Sequence, residues 1–371
     1  SHAGNYRGAK KMTKSKLQEI RDNIKQTDRE IVRLLNRRAG MSLEIGMIKA
    51  ELGIEVYDPS QESRIYDNLA KNNKGELPLK SLQAIFREII SVSRVLQGPV
   101  TVAYLGPEAS FAHMAAQYHF GVSSKFFPQT SILHVFEEVE KEKVKWGVAP
   151  VENSIEGSVN LTLDKLIATT LNIRAEIFLR INHCLLSNHE KMEDIERIYS
   201  HPQALAQCQG WLRANLPNAV LVEMESTAAA AQRVGKEKEG AAIGSKLAAE
   251  VYGLKVISEG IEDRASNTTR FLVIGRGESE PTGNDKTSLL FATPHVPGAL
   301  YRALQSFADR QIDMTKIESY PVKERLWEYL FFVDVAGHAK DGEIKSSLDV
   351  LRQKTTFLKI LGSYPRSEVT Q

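Results

Sequence analysis

"ASNTTRFLVIG", residues 265–275, is the stretch on which the reading of the fold turns. Four small polar residues, Ser266, Asn267, Thr268 and Thr269, lead through Arg270 into the apolar run Phe271 to Ile274. A short apolar run bounded by turn-forming residues reads as a buried strand. The polar segment ahead of it is either an ordinary turn or a set of hydroxyls and a cation held at a strand end. Further runs of the same kind, "VTVAYLG" (100–106), "KWGVAPV" (145–151) and "GAAIG" (240–244), alternate with helical patterns such as Ser226 to Val234. That alternation predicts an α/β unit with largely parallel sheets.

The texture changes on both sides. Downstream, "GESEPTGNDK" (277–286) is rich in Gly, Pro and charge and reads as a linker. Beyond it come strand "TSLLFAT", helix "GALYRALQSFADRQ", strands "MTKIESYPV" and "WEYLFFVDV", helix "EIKSSLDVLRQ" and strand "FLKILGSYP", the βαββαβ order of a ferredoxin-like sandwich. Upstream, Lys14 to Glu51 is helical without interruption, a length that predicts an intertwined partner. After Gly53, "YDPSQES" offers Asp58 as N-cap, Pro59 at the first helical position and Gln61 at capping-box spacing. A third helix runs from near Pro78 to Gln97. The segment "SHAGNYRGAKK" ahead of Met12 reads as a leader or tag remnant and is set aside.

With 371 residues, 42% of them hydrophobic and 25% charged, the chain can bury several cores. A net charge of +2 gives no overall field for nucleic acid or an anionic membrane. No run approaches a membrane span, so a cytoplasmic location is expected. Cys184 and Cys208 form no metal-ligand spacing, and Gly275 and Gly277 lack the third glycine of a dinucleotide loop, Glu280 standing in its place. No metal and no cofactor is expected.

In the first helix, Leu17, Ile24, Ile31, Leu35 and Ile45 recur at helical spacing, yet Arg21, Asp28, Arg38, Ser42 and Lys49 fall on the same stripe. Unpaired buried charge is costly, so these cations either reach solvent at helix ends and pair locally, or meet a small dianion. These residues, with "IRDNIKQTDREIVRLLNRR", "GMIKAELGIEVYDPSQES" and "IFREIISVSRVLQ", resemble the all-helical chorismate mutase family over residues 14–97. The resemblance implies rearrangement of chorismate to prephenate in an intertwined dimer. Arg38, with Arg21 from the partner chain, would hold the two carboxylates. Lys49 and Gln97 would donate to the ether oxygen, Glu62 would contact the hydroxyl, and Asp58 and Ser93 would support the site. Family members often carry arginine where this chain has Gln61.

Three strand-to-helix elbows accompany the opening stretch: "YLGPEASF", "PVENSIEG" and "YSHPQALAQC". Each taken alone is as well explained by helix capping, His201 included. Together with "NTTRF" they resemble the prephenate dehydratase family over residues 99–276, with Ala109 and Ser110 where the family has glycine and threonine. The resemblance implies a two-lobed α/β fold like periplasmic binding proteins, with the site in the cleft. Prephenate would lose carbon dioxide and its ring hydroxyl there to give phenylpyruvate. Thr269 is the implied hydroxyl at the departing oxygen. Asn153, Ser200, Gln207, Asn267 and Thr268 are implied polar contacts, Arg270 an anion anchor and Glu152 a proton-transfer candidate.

Residues 286–366 resemble an ACT domain. "PGALYRAL" places Gly298, Ala299 and Leu300 at a strand-to-helix turn whose amides can take a carboxylate. "IESYP" supplies Glu318 and Ser319, with Tyr320 where arginine is common. Plain turn chemistry accounts for the same residues. The resemblance implies L-phenylalanine as effector and a homo-oligomer, a dimer through the helical module or a tetramer. The expectation is a bifunctional chorismate mutase and prephenate dehydratase of phenylalanine biosynthesis under feedback control; the rival is a phenylalanine-binding protein with decayed sites.

Overall fold

The computed structural model describes residues 2–321 and 329–367, with side chains from residue 15 onward. Helices α1 (His2–Leu52), α2 (Pro59–Asn72) and α3 (Leu79–Gln97) come first. The first helix includes the segment set aside as a leader from His2 on; Ser1 lies outside the described residues. Asp58 caps α2 as its sequence position suggests, its Oδ1 accepting from the Gln61 N–H at 3.0 Å. Helices α1 and α3 cross at Gly46, where a Cβ would lie 2.6 Å from Gln97 Cα, so only glycine lets the two backbones approach. Much of the apolar face of α1 is exposed, Ile24, Ile31, Leu35 and Ile45 among it.

Next come β1 (Thr101–Leu105), α4 (Phe111–Phe120), β2 (Lys125–Gln129), α5 (Ile132–Glu140), β3 (Trp146–Asn153), β4 (Gly157–Ser158), α6 (Asn160–Ala168) and β5 (Asn172–Arg180). The chain then crosses to β6 (Cys184–Ser187), β7 (Arg197–Ser200), α7 (Pro202–Gln207), α8 (Gln209–Asn215), β8 (Val220–Glu223), α9 (Thr227–Glu237), β9 (Ala241–Gly244), α10 (Lys246–Tyr252) and β10 (Lys255–Glu259). It returns through β11 (Thr268–Gly275). Two lobes result, one on the order β2-β1-β3-β11-β5 with β4 beside β3, the other on β10-β6-β9-β7-β8.

The sheets are mixed rather than largely parallel. Strand β1 runs parallel to β2 and β3, and β7 parallel to β8 and β9, because helices carry those crossovers. The returning β11 enters between β3 and β5 antiparallel to both, and β6 pairs antiparallel with β9 and β10.

The last unit is β12 (Asp285–Ala292), α11 (Ala299–Ala308), β13 (Met314–Pro321), β14 (Tyr329–Ala336), α12 (Gly342–Lys354) and β15 (Phe357–Pro365), the expected βαββαβ order in a sheet β13-β14-β12-β15. Val322, Trp327 and Glu328, assigned to strands from the sequence, lie outside the described residues.

Alternation along β11 decides how the units join. Leu272 and Ile274 share one core with Leu290, Tyr320, Phe332, Leu361 and Tyr364 of the last unit. Phe271 and Val273 share another with Tyr104, Trp146 and Tyr57, the last from the segment leading into α2. The helical module also docks through Arg94, buried at 3% exposure, which pairs bidentately with Glu62 at 2.5 Å and donates to Phe120 O at 2.9 Å.

Candidate active sites

The strand register brings the opening stretch to the end of β3. Thr269 pairs with Asn153, so the start of β11 lies beside the carboxyl end of a strand whose neighbour β1 is parallel to it. That strand end is where open α/β sheets expose backbone groups and place ligands. Asn153 is the hub: its Nδ2 donates to Thr269 Oγ1 and to Asn267 Oδ1, both at 2.8 Å. Its Oδ1 accepts from the backbone amides of Ile155 at 2.9 Å and Glu156 at 3.2 Å, which fixes the orientation of the side-chain amide. Because Thr269 Oγ1 accepts from Asn153, its own O–H remains to donate elsewhere.

Gln207 reaches the cluster from the other lobe. Its Oε1 accepts from His183 Nε2 at 2.9 Å and from Asn267 Nδ2 at 3.1 Å. Its Nε2 is thereby turned toward Glu156 Oε1, 3.4 Å away. Burial lowers the His183 pKa, against the opposing pull of its Gln207 hydrogen bond and of Glu262. Between the lobes lies a cavity of about 470 Å³ lined by Glu156, Gln203, Gln207, Glu262, Arg264 and Asn267, among others. Sequence reasoning missed Glu156 and Arg264. Glu156 sits within "PVENSIEG", and Arg264 is five residues ahead of Thr269. Desolvation raises the Glu156 pKa, with His201 opposing it.

Several sequence-derived roles are corrected by geometry. Arg270 does not enter the cleft: strand alternation turns it to the opposite face, where it is 4% exposed and bonded to Asp334 (2.6 Å), Glu176 (2.9 Å) and Tyr364 (2.9 Å). Arg264 is the arginine that lines the cavity. The Ser200 hydroxyl is fully buried and donates to Ile243 O at 2.8 Å, holding β7 to β9. Glu152 is turned to Lys316 of the last unit at 2.7 Å. Thr268 holds the elbow through its backbone, its N–H donating to Ser154 Oγ and its carbonyl accepting from the Ser154 N–H, both at 2.9 Å. His201 Nδ1 caps the following helix by accepting from the Gln203 N–H at 3.3 Å.

In the helical module, Arg38, Ser42 and Lys49 of α1 lie on the side that meets Ser93 and Gln97 of α3. Arg38 Nη1 donates to Ser93 Oγ, and Ser93 donates to Ile89 O at 2.8 Å. Desolvation lowers the Arg38 pKa, as expected for a cation drawn into a pocket. Lys49 Nζ donates to Val56 O at 2.9 Å, and Gln97 Oε1 is buried without a hydrogen-bond partner among the described residues. Arg21 is exposed and stands seventeen residues before Arg38, roughly 25 Å along one helix. It cannot share a pocket with Arg38 of its own chain. Asp58 is occupied as the α2 cap, and Glu62 is paired with Arg94 at the junction with α4.

In the last unit Gly298 adopts φ 75 ahead of α11, with Ala299 buried and Leu300 packed on the local core. Ser319 is exposed, whereas the Glu318 carboxylate is bonded to Ser158 and Lys316 instead of standing open to a ligand. Tyr320 is 5% exposed and donates to Asp164, so it belongs to the junction with the α/β unit.

Fold and site together define a multidomain enzyme that handles anionic small molecules. The Prephenate dehydratase family model matches residues 102–279, the Chorismate mutase type II model residues 20–98 and the ACT domain model residues 287–353. The chain is 44% identical over 355 residues to the bifunctional chorismate mutase/prephenate dehydratase of Aquifex aeolicus (strain VF5), covering 95% of this chain and 98% of that one. It is also 44% identical to the enzyme of that name from Neisseria gonorrhoeae (strain ATCC 700825 / FA 1090), covering 93% and 96%. Among solved structures, the prephenate dehydratase of Arthrobacter aurescens in complex with L-Phe is similar with a TM-score of 0.67 and 34% identity, covering 73% of this chain and 91% of that one. The prephenate dehydratase of Staphylococcus aureus subsp. aureus Mu50 gives 0.64 and 29%, covering 71% and 100%. The chain belongs to the family of bifunctional chorismate mutase/prephenate dehydratases.

Proposed function

We infer that this chain is a bifunctional enzyme of phenylalanine biosynthesis, rearranging chorismate to prephenate and converting prephenate to phenylpyruvate under L-phenylalanine feedback. The observation that carries the second activity is the bonded set Asn153–Thr269–Asn267–Gln207 at the mouth of the interlobe cavity. For the first, Arg38 and Lys49 on α1, with Gln97 on the facing α3, supply two cations and an amide suited to a dianion, and catalysis there needs only orientation and charge stabilisation. Arg21 completes that set from a second chain, which also covers the exposed apolar face of α1; a dimer through α1 follows. The units assigned to the three roles are residues 14–97, 99–276 and 286–366.

In the dehydratase step the C–C bond to the ring carboxylate breaks and its electron pair enters the ring. The C–O bond to the ring hydroxyl breaks with its pair on oxygen. Thr269 donates a hydrogen bond to that departing oxygen, and Glu156 supplies the proton that turns it into water. One proton is consumed per prephenate dianion, giving phenylpyruvate monoanion, carbon dioxide and water. Arg264 faces a substrate carboxylate. At the regulatory unit, the amides after Gly298 take the effector carboxylate, beside Ser319.

The test is to give the purified chain chorismate and to follow prephenate and phenylpyruvate separately, with and without phenylalanine. Both products should form, and phenylalanine should suppress the second. Phenylalanine binding with neither product would establish the rival binding-protein reading.

A further inference from the structure

Strand β13 docks on the α/β unit with alternate residues. Thr315, Ile317 and Ser319 point to solvent, while Lys316, Glu318 and Tyr320 are at least half-buried against the dehydratase lobe. The inward three find successive partners: Lys316 Nζ lies 2.7 Å from Glu152 Oε2, Glu318 accepts from the Ser158 hydroxyl, and Tyr320 donates to Asp164. Lys316 Nζ also bridges to Glu318 at 3.2 Å and lies over the Phe332 ring, 5.8 Å from its centroid, so the ammonium is held from three sides.

The partners are not scattered. Glu152 immediately precedes Asn153, and Ser158 closes the two-residue strand that folds back on β3, pairing Glu152 with Ser158 and Asn153 with Gly157. The elbow between them carries Asn153 and Glu156, and through Asn153 it sets the Thr269 hydroxyl. Both feet of the elbow are therefore held by one strand of the regulatory sheet. The charge on Glu152, which lies next to the cluster in sequence, is used here and not in the cleft.

We infer that Lys316, with Glu318, is a positioning residue for the dehydratase reaction: the regulatory strand β13 clamps the cleft elbow at Glu152 and Ser158. The inference rests on the dehydratase reading of the cleft. It also supplies a path for regulation. The exposed side of β13 carries Ser319, so an effector bound there with different affinity for two strand positions shifts the clamp, and with it Asn153 and Thr269. No hydrogen bond need break inside the cleft itself. A displacement on the order of an ångström at the elbow is enough to cost about a hundredfold in rate.

The experiment uses the full chain with Lys316→Met, which removes the charge and keeps an unbranched side chain, together with Lys316→Arg, Glu152→Gln and the double variant Lys316→Met/Glu152→Gln. For Lys316→Met and Glu152→Gln, kcat on prephenate should fall roughly ten- to a hundredfold with KM within about threefold. Prephenate formation from chorismate should be unchanged. Lys316→Arg should recover most of the rate, and the double variant should be no worse than the poorer single one. Phenylalanine should still bind by calorimetry yet inhibit the single variants at least about tenfold less effectively, a loss of roughly 1.4 kcal/mol of coupling. Full kcat and full inhibition in Lys316→Met and in Glu152→Gln would overturn the inference, as would additive losses in the double variant. If the unsubstituted chain made no phenylpyruvate, the dehydratase reading itself would fail, a result distinct from either.

Discussion

Replacing Arg270 with methionine tests whether this residue serves substrate or structure. Arg270 and Lys286 are the cations, and Glu176 and Asp334 the anions, of one buried set that is electrically neutral as a whole. The two carboxylate side chains are 0% and 1% exposed, Arg270 is 4% and Lys286 9%. Tyr364 and Ser288 complete the network, Ser288 donating to Asp334 and exchanging a 2.6 Å hydrogen bond with Tyr364. Methionine keeps the apolar stem but leaves one net negative charge with no water to solvate it. Breaking a buried pair in this way costs about 3–5 kcal/mol. Because the set joins β11 to β12, β14 and β15, the loss falls on the junction between the dehydratase and regulatory units. At roughly 2–4 °C per kcal/mol, thermal unfolding followed by circular dichroism should shift down by roughly 6–20 °C. Prephenate KM, measured well below that transition, should stay within about threefold. An unchanged transition with KM raised about tenfold or more would refute the reasoning and return Arg270 to the substrate.

Glu156→Gln should lower kcat on prephenate by roughly 10²–10⁴-fold if Glu156 is the acid. The group works protonated and its pKa is raised by desolvation, so activity should fall as pH rises through that pKa, and this alkaline limb should vanish in the variant. A full rate, or an unchanged limb, in a stopped-flow pH series would exclude the role. Gly46→Ala places a Cβ against Gln97 Cα and should cost about 1–3 kcal/mol by overpacking. By spreading Lys49 from Gln97 it should slow prephenate formation and spare the dehydratase; equal loss of both activities would contradict that separation.

Much of the architecture could be read from period and punctuation. The Asp58 cap, the long first helix and the βαββαβ tail depend on local signals, and the chain follows them. The mixed sheets were not legible, because β11 belongs to the first lobe only after a long excursion through the second, and no local pattern records that return. The same limit governed the site. Thr269, Asn153, Asn267 and Gln207 come together because register pairs β11 with β3 and the lobes face each other. Arg270, one residue further along, faces away by the two-residue period of a strand. Glu152, Ser200 and Glu62 were misassigned for one reason: each is a polar residue at a motif, and only the fold shows that a partner from another element already occupies it. Glu156 carried a visible signal, a carboxyl three residues beyond Asn153 in an elbow, but nothing in the sequence turns it toward Gln207.

We assign the dehydratase site to the interlobe cluster around Thr269, separate from the mutase residues on α1 and α3. Thr269→Ala in the full chain, given chorismate with both products followed in one assay, tests that assignment most directly. Prephenate should accumulate at the unsubstituted rate while phenylpyruvate formation falls by about a hundredfold or more. Undiminished phenylpyruvate, or loss of both activities in a folded variant, would contradict the assignment.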